Sequence, residues 1–212
     1  MENIWGIFKA NFHLAIRNNL FLSVVYLSTV PLLRGIANLD AARSAECLEQ
    51  SVILIGILLI VPLNAPEQSK EIREAVCTRK IPHWNILLLR LIMATAALIV
   101  MTGIFSGILV WKNCTFPFVP YVAGTVISAM ALGSTGFLVS VLGNSVVAGY
   151  LAAAGCYLVN LLGGVSDESV FYLFSMGAGS YTAKGWLFGG SIAAVGAALF
   201  YEKRYGFGRN EG

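Results

Sequence analysis

The residues of this chain best suited to chemistry with a partner are crowded into one stretch, Glu67 to Arg90, which reads EQSKEIREAVCTRKIPHWNILLLR. It holds eight of the chain's 25 charged residues (14 Lys and Arg, 11 Asp and Glu). Signs alternate through Glu67, Lys70, Glu71, Arg73, Glu74 and Arg79, and Lys80 follows. On a helix Lys70 is within reach of both Glu67 and Glu74, while Ile72 and Val76 sit four apart on another face. Pro82 then stops this helix and opens the next, as proline does at a helix start. The chemistry on offer is ion pairing with a soluble surface, not bond making. Two readings stand: a solvated linker helix, or a docking helix that passes a partner's movement to the segments on either side.

Other constellations are missing from the sequence. There is no GxxxxGK[ST], and Gly177 to Lys184 (GAGSYTAK) lacks the second glycine before its lysine, so no P-loop cradles a nucleotide. His13 and His83 both fall outside the apolar segments, and no HExxH occurs. Cys47, Cys77, Cys114 and Cys156 have no paired spacing and read as small apolar residues, not as a disulfide or metal set. The expectation is a chain that is not an enzyme and holds no cofactor or metal of its own. The net charge of +3 does not point to nucleic acid.

The elements that carry the charged stretch follow from composition. The 212 residues are 57% hydrophobic and 12% charged, against roughly 25% charged in soluble chains, and the mean hydropathy is +0.75. The expected fold is an all-α membrane protein, a single domain over 1–212, with six transmembrane helices, an N-terminal interfacial helix and a cytoplasmic coupling helix. A span needs about 20 mostly apolar residues. The candidates are 20–37, 48–66, 86–111, 119–142, 145–163 and 185–201. Pro31 and Arg34 make the first the weakest, with Arg34 able to snorkel from near its end. Residues 1–19 place Trp5, Phe8, Phe12 and Ile16 on one face among Lys9, His13 and Arg17, which suits an interfacial helix and not a cleavable signal. The charged helix covers 67–82.

Orientation follows from the basic residues of the loops. With the N-terminus inside, Lys9, Arg17, Lys70, Arg73, Arg79, Lys80, Arg90, Lys203, Arg204 and Arg209 are cytoplasmic, and only Arg34, Arg43, Lys112 and Lys184 lie outside. Both termini are then cytoplasmic, in a multi-pass protein of the plasma (inner) membrane. The connection 164–184 is too apolar for a solvated loop and too short for a span. It reads as a short helix, either dipping into the outer leaflet or lying at the interface. Within the span limits above, no Asp or Glu falls at mid-span, which argues against an ion-coupled carrier. Asn160 is the strongly polar side chain deep in a span, bonding either a neighbouring helix or a substrate. Gly189, Ala193 and Ala197, and Gly149 with Ala153 or Ala148 with Ala152, form small-residue stripes for helix packing or for a dimer contact.

On the stretch Glu67, then Ile81-Pro82-His83-Trp84-Asn85-Ile86-Leu87, then Arg90, the chain resembles the permease subunits of ABC-type exporters of the ABC-2-like class. That family is similar in its interfacial N-terminal helix, six spans, short connection between spans four and five, and re-entrant outer element before span six. It often carries Gly-Thr after the acidic residue, where this chain has Lys70-Glu71. The resemblance implies two permease copies and two copies of a separate ATPase, which binds ATP and Mg. The ATPase would dock on Glu67, Lys70, Glu71, Arg73, Glu74, Arg79, Lys80 and Pro82, with a lesser contact at Asn144. The substrate path would be lined by spans one, two and five, making Tyr26, Tyr157 and Asn160 candidate contacts for an amphipathic peptide, drug or lipid. A non-transporting immunity or assembly factor using the same charged helix is the alternative. A membrane enzyme or ion-coupled carrier is a third reading.

Overall fold

The computed structural model describes residue 9 and residues 11–68, 83–166, 169–177 and 179–205. Among them, regular structure is entirely helical: α1 (Phe12–Arg34), α2 (Ala41–Pro66), α3 (His83–Trp111), α4 (Phe118–Gly143), α5 (Val146–Leu161) and α6 (Thr182–Tyr205). All but α5 include a stretch long and apolar enough to cross a membrane. The chain is a multi-pass helical membrane protein.

The expected fifth span, 145–163, is only partly realised. α5 has 16 residues, about 24 Å at 1.5 Å per residue, short of the roughly 30 Å of a bilayer core. It stops because Leu162 and Gly163 turn the chain, Gly163 with φ +75°, a conformation open to glycine and costly for other residues. The first two spans also begin earlier than expected. α1 opens with a π-helical turn, Phe12–Ile16, whose Ala15 and Ile16 are buried, so the described part of the expected interfacial helix runs on into the first span. α2 starts at Ala41 because the Asp40 carboxylate accepts the Arg43 backbone N–H at 2.9 Å, an N-cap that satisfies one of the helix's orphan donors.

Successive helices alternate in direction. At one end the connections 35–40 and 112–117 are stitched together: the Asn38 N–H donates to the Lys112 carbonyl and the Thr115 N–H to that of Leu39, at 3.0 and 3.1 Å. At the other end Lys203 sits 5.7 Å from the Trp84 ring. There Asn144 caps α4 in the left-handed conformation (φ +48°). This second end is where α2 gives way to the charged stretch and where His83 opens α3.

The centre is α4, packed on α2, α5 and α6. Its seams are closed by glycine. A Cβ on Gly56 of α2 would strike the Ala129 backbone of α4, and one on Gly149 of α5 would lie 2.5 Å from the Gly136 carbonyl oxygen. Backbones that close leave no room for side chains, and this is how helices gain contact in lipid. Of the expected stripes, Gly149 and Ala153 are buried in this way. Gly189, Ala193 and Ala197 instead face outward from the chain, with open space beside Gly189.

Candidate functional site

The second span is not a uniform α-helix. Between Glu46 and Leu54 it widens into a π-helical segment, Cys47–Val52, a feature often found at functional positions. Three polar residues in a row, Glu49, Gln50 and Ser51, lie on this segment, and four other elements converge on them. The Tyr26 hydroxyl of α1 donates to the Ser51 carbonyl at 2.9 Å. The Tyr157 hydroxyl of α5 donates to the Gln50 carbonyl at 2.7 Å. Arg34, expected to snorkel outward, turns back across α2 to the Gln50 amide oxygen.

Glu49 is 1% exposed and Lys184, the third residue of α6, is 3% exposed. Their charged groups meet at 2.5 Å. The Lys184 ammonium spends its three donors inside an oxygen cage: the Glu49 carboxylate, the Ser128 hydroxyl of α4 and the Leu173 carbonyl, the latter two at 2.6 Å. Glu49 in turn accepts the Met176 backbone N–H at 3.1 Å. A buried charge survives only when paired and hydrogen-bonded, and here both conditions hold.

This cage explains the connection before α6. Residues 169–177 form turns, not the expected helix, and Leu173, Ser175 and Met176 are 1–2% exposed. Non-helical backbone at membrane depth is tolerated only where protein satisfies its polar groups. Helix side chains take up three of those groups. Asn160 of α5 accepts the Leu173 N–H at 3.0 Å, Ser128 donates to the Leu173 carbonyl at 3.1 Å, and Glu49 takes Met176. Tyr157 packs edge-on against Phe174, ring centres 6.0 Å apart. Tyr26, Tyr157 and Asn160, the three expected path residues, are thus gathered around the π turn and the segment docked on it.

Two sequence expectations are corrected here. Glu49 is not at the edge of its span: with α2 starting at Ala41, it lies two turns in. Lys184 is not a loop cation but the partner of Glu49, within the bundle. The signal that would have placed Glu49 inside the span was Asp40, an N-cap residue directly before Ala41.

At the opposite end Arg90 is 1% exposed. Pro66 has no N–H to give the Leu63 carbonyl in the tight 3₁₀ stretch Val61–Gln68, since the i+3 donor is missing. Arg90 supplies one from α3, at 3.0 Å, and also donates to the Asn11 side chain at 2.9 Å. Glu67 lies at the end of that 3₁₀ stretch. Lys70, Glu71, Arg73, Glu74, Arg79, Lys80 and Pro82 lie outside the described residues. Asn144 is exposed at this same end. Cys47 and Cys114 are buried free thiols and Cys156 an exposed one. Comparison of the chain with protein-family models, with curated proteins and with solved structures finds no match.

Proposed function

We propose that this chain is the transmembrane subunit of an ATP-driven exporter of the ABC-2-like class, acting as two copies with two copies of a separate ATPase. Both termini and the charged stretch face the cytoplasm. The ATPase docks on Glu67, Lys70, Glu71, Arg73, Glu74, Arg79, Lys80 and Pro82, with Asn144 beside it, and supplies ATP and Mg. This chain makes and breaks no bond; it forms the path for an amphipathic peptide, drug or lipid.

The observation that carries this reading is the Arg90 junction. One buried guanidinium ties the end of α2, the start of α3 and Asn11 together at the point where the charged stretch leaves the bundle. A push on that stretch therefore reaches two spans and the N-terminal segment through a rigid joint, not a loose loop. Tyr26, Tyr157 and Asn160 line the opposite half of the proposed path, around the π turn of α2.

Reversing the charges at Glu71, Arg73 and Glu74 tests it. The triple variant is expected to assemble normally, since these residues flank the spans, and to separate ATP hydrolysis from export in proteoliposomes. Unchanged export would remove the docking role.

A further inference from the structure

We infer that the groove between α1 and α3 binds one anionic phospholipid, with an acyl chain between the two helices and the phosphate held by Arg17.

The walls of the groove call for hydrocarbon. A cavity of about 520 Å³ opens between the two helices. Phe12, Leu20 and Val24 line it from α1, and Ile92, Ala96 and Val100, spaced four apart on one face of α3, line it from the other side. Every side chain that lines it is apolar. Water finds no partner there, and an empty groove forfeits the contacts its walls could make. Of the five helices long enough to span, α1 is the least covered by the rest of the chain, so a lipid chain enters from the side. From Phe12 to Val24 is about 18 Å at 1.5 Å per residue. The groove therefore crosses one leaflet of a core roughly 30 Å thick and ends near its middle. That is the course of a single acyl chain; a helix of a second copy would need a seam as long as the membrane is thick.

The mouth of the groove, at the Phe12 end, selects the headgroup. Arg17 is exposed and lies one turn before Leu20, close enough to that end to reach the interface by snorkelling. It donates to His13 Nδ1 at 3.1 Å, which leaves the rest of its N–H fork unused. Among the described residues no carboxylate pairs with it. Neither α1 nor α3 contains an Asp or Glu, so a phosphate at this mouth meets no like charge from either wall. A guanidinium binds such a group through two parallel hydrogen bonds. A zwitterionic headgroup brings its own cation and cancels the attraction.

Native mass spectrometry of the full chain tests the site, after incubation in mild detergent with an equimolar mixture of dioleoyl phosphatidylglycerol and dioleoyl phosphatidylcholine. The native chain is expected to retain one phosphatidylglycerol, favoured over phosphatidylcholine by at least about tenfold, as one charge-assisted contact supports. Arg17→Gln should remove that preference and Arg17→Lys should keep most of it. Ala96→Phe, which sets a ring into the groove, should cut retention of either lipid by about tenfold and leave the number of copies in the complex unchanged. Arg43→Gln, which removes an exposed cation at the other end of the bundle, should change nothing. Equal retention of the two lipids by the native chain, a preference that survives Arg17→Gln, or undiminished phosphatidylglycerol on the Ala96→Phe variant would each overturn the site. Loss of a two-copy form in Ala96→Phe would also overturn it, assigning the groove to a second copy instead.

Discussion

Lys184→Met is expected to lower the stability of the bundle by about 3–5 kcal/mol, the cost of leaving one member of a buried ion pair unpaired. The magnitude belongs at this level because Glu49 is 1% exposed, out of contact with bulk solvent. The loss extends beyond the pair, since the Lys184 ammonium also holds Ser128 and the Leu173 carbonyl. Unfolding in mixed micelles by added denaturing detergent measures it. E49Q/K184M should recover most of the loss, because replacing both charges with groups of similar volume is often neutral or better. A double variant whose loss equals the sum of the two singles would mean that the charges act independently, against the cage geometry.

Gly56→Leu is the second large effect. A Cβ at this position meets the Ala129 backbone, which has no rotamer to turn away. The α2–α4 seam must open to admit it, and Gly133 across the seam, whose own Cβ would lie 2.7 Å from the Gly56 carbonyl oxygen, leaves no slack. Overpacking usually costs 1–3 kcal/mol; contact with backbone puts this variant at about 3 kcal/mol or above. Gly189→Leu makes the contrast. Open space lies beside Gly189, so the same change there should alter the stability of the single chain by less than about 0.5 kcal/mol. Any effect of Gly189→Leu belongs to contact between copies and appears in the oligomeric state on size-exclusion chromatography. Equal losses from the two variants would contradict the seam.

Helical class and membrane character were legible from the sequence because composition and apolar run length report them directly. The limits of helices were less so. Caps and turns set them: Asp40 moved the start of α2 seven residues towards the N-terminus of the expected span, and the turn at Gly163 cut α5 short of spanning length. That shift at Asp40 alone hid Glu49, which at the edge of a span reads as an ordinary boundary charge. Lys184 was illegible for a different reason. A lone lysine after a glycine-rich turn looks like a loop cation until Glu49, 135 residues away, is seen beside it. Tyr26, Tyr157 and Asn160 came from the spans that the resemblance assigns to a substrate path, and their side chains lie around one turn and the segment docked on it. The feature that gathers them, the π turn at Cys47–Val52, has no signature in residue spacing.

The most direct test of the exporter reading is co-purification of the tagged chain from native membranes, with mass spectrometry of what accompanies it. The account predicts a P-loop ATPase in equal amount, lost when Glu71, Arg73 and Glu74 are reversed. Absence of any ATPase, with some other soluble protein lost in that variant, would contradict the exporter reading and leave the charged stretch as the docking element of a non-transporting membrane protein.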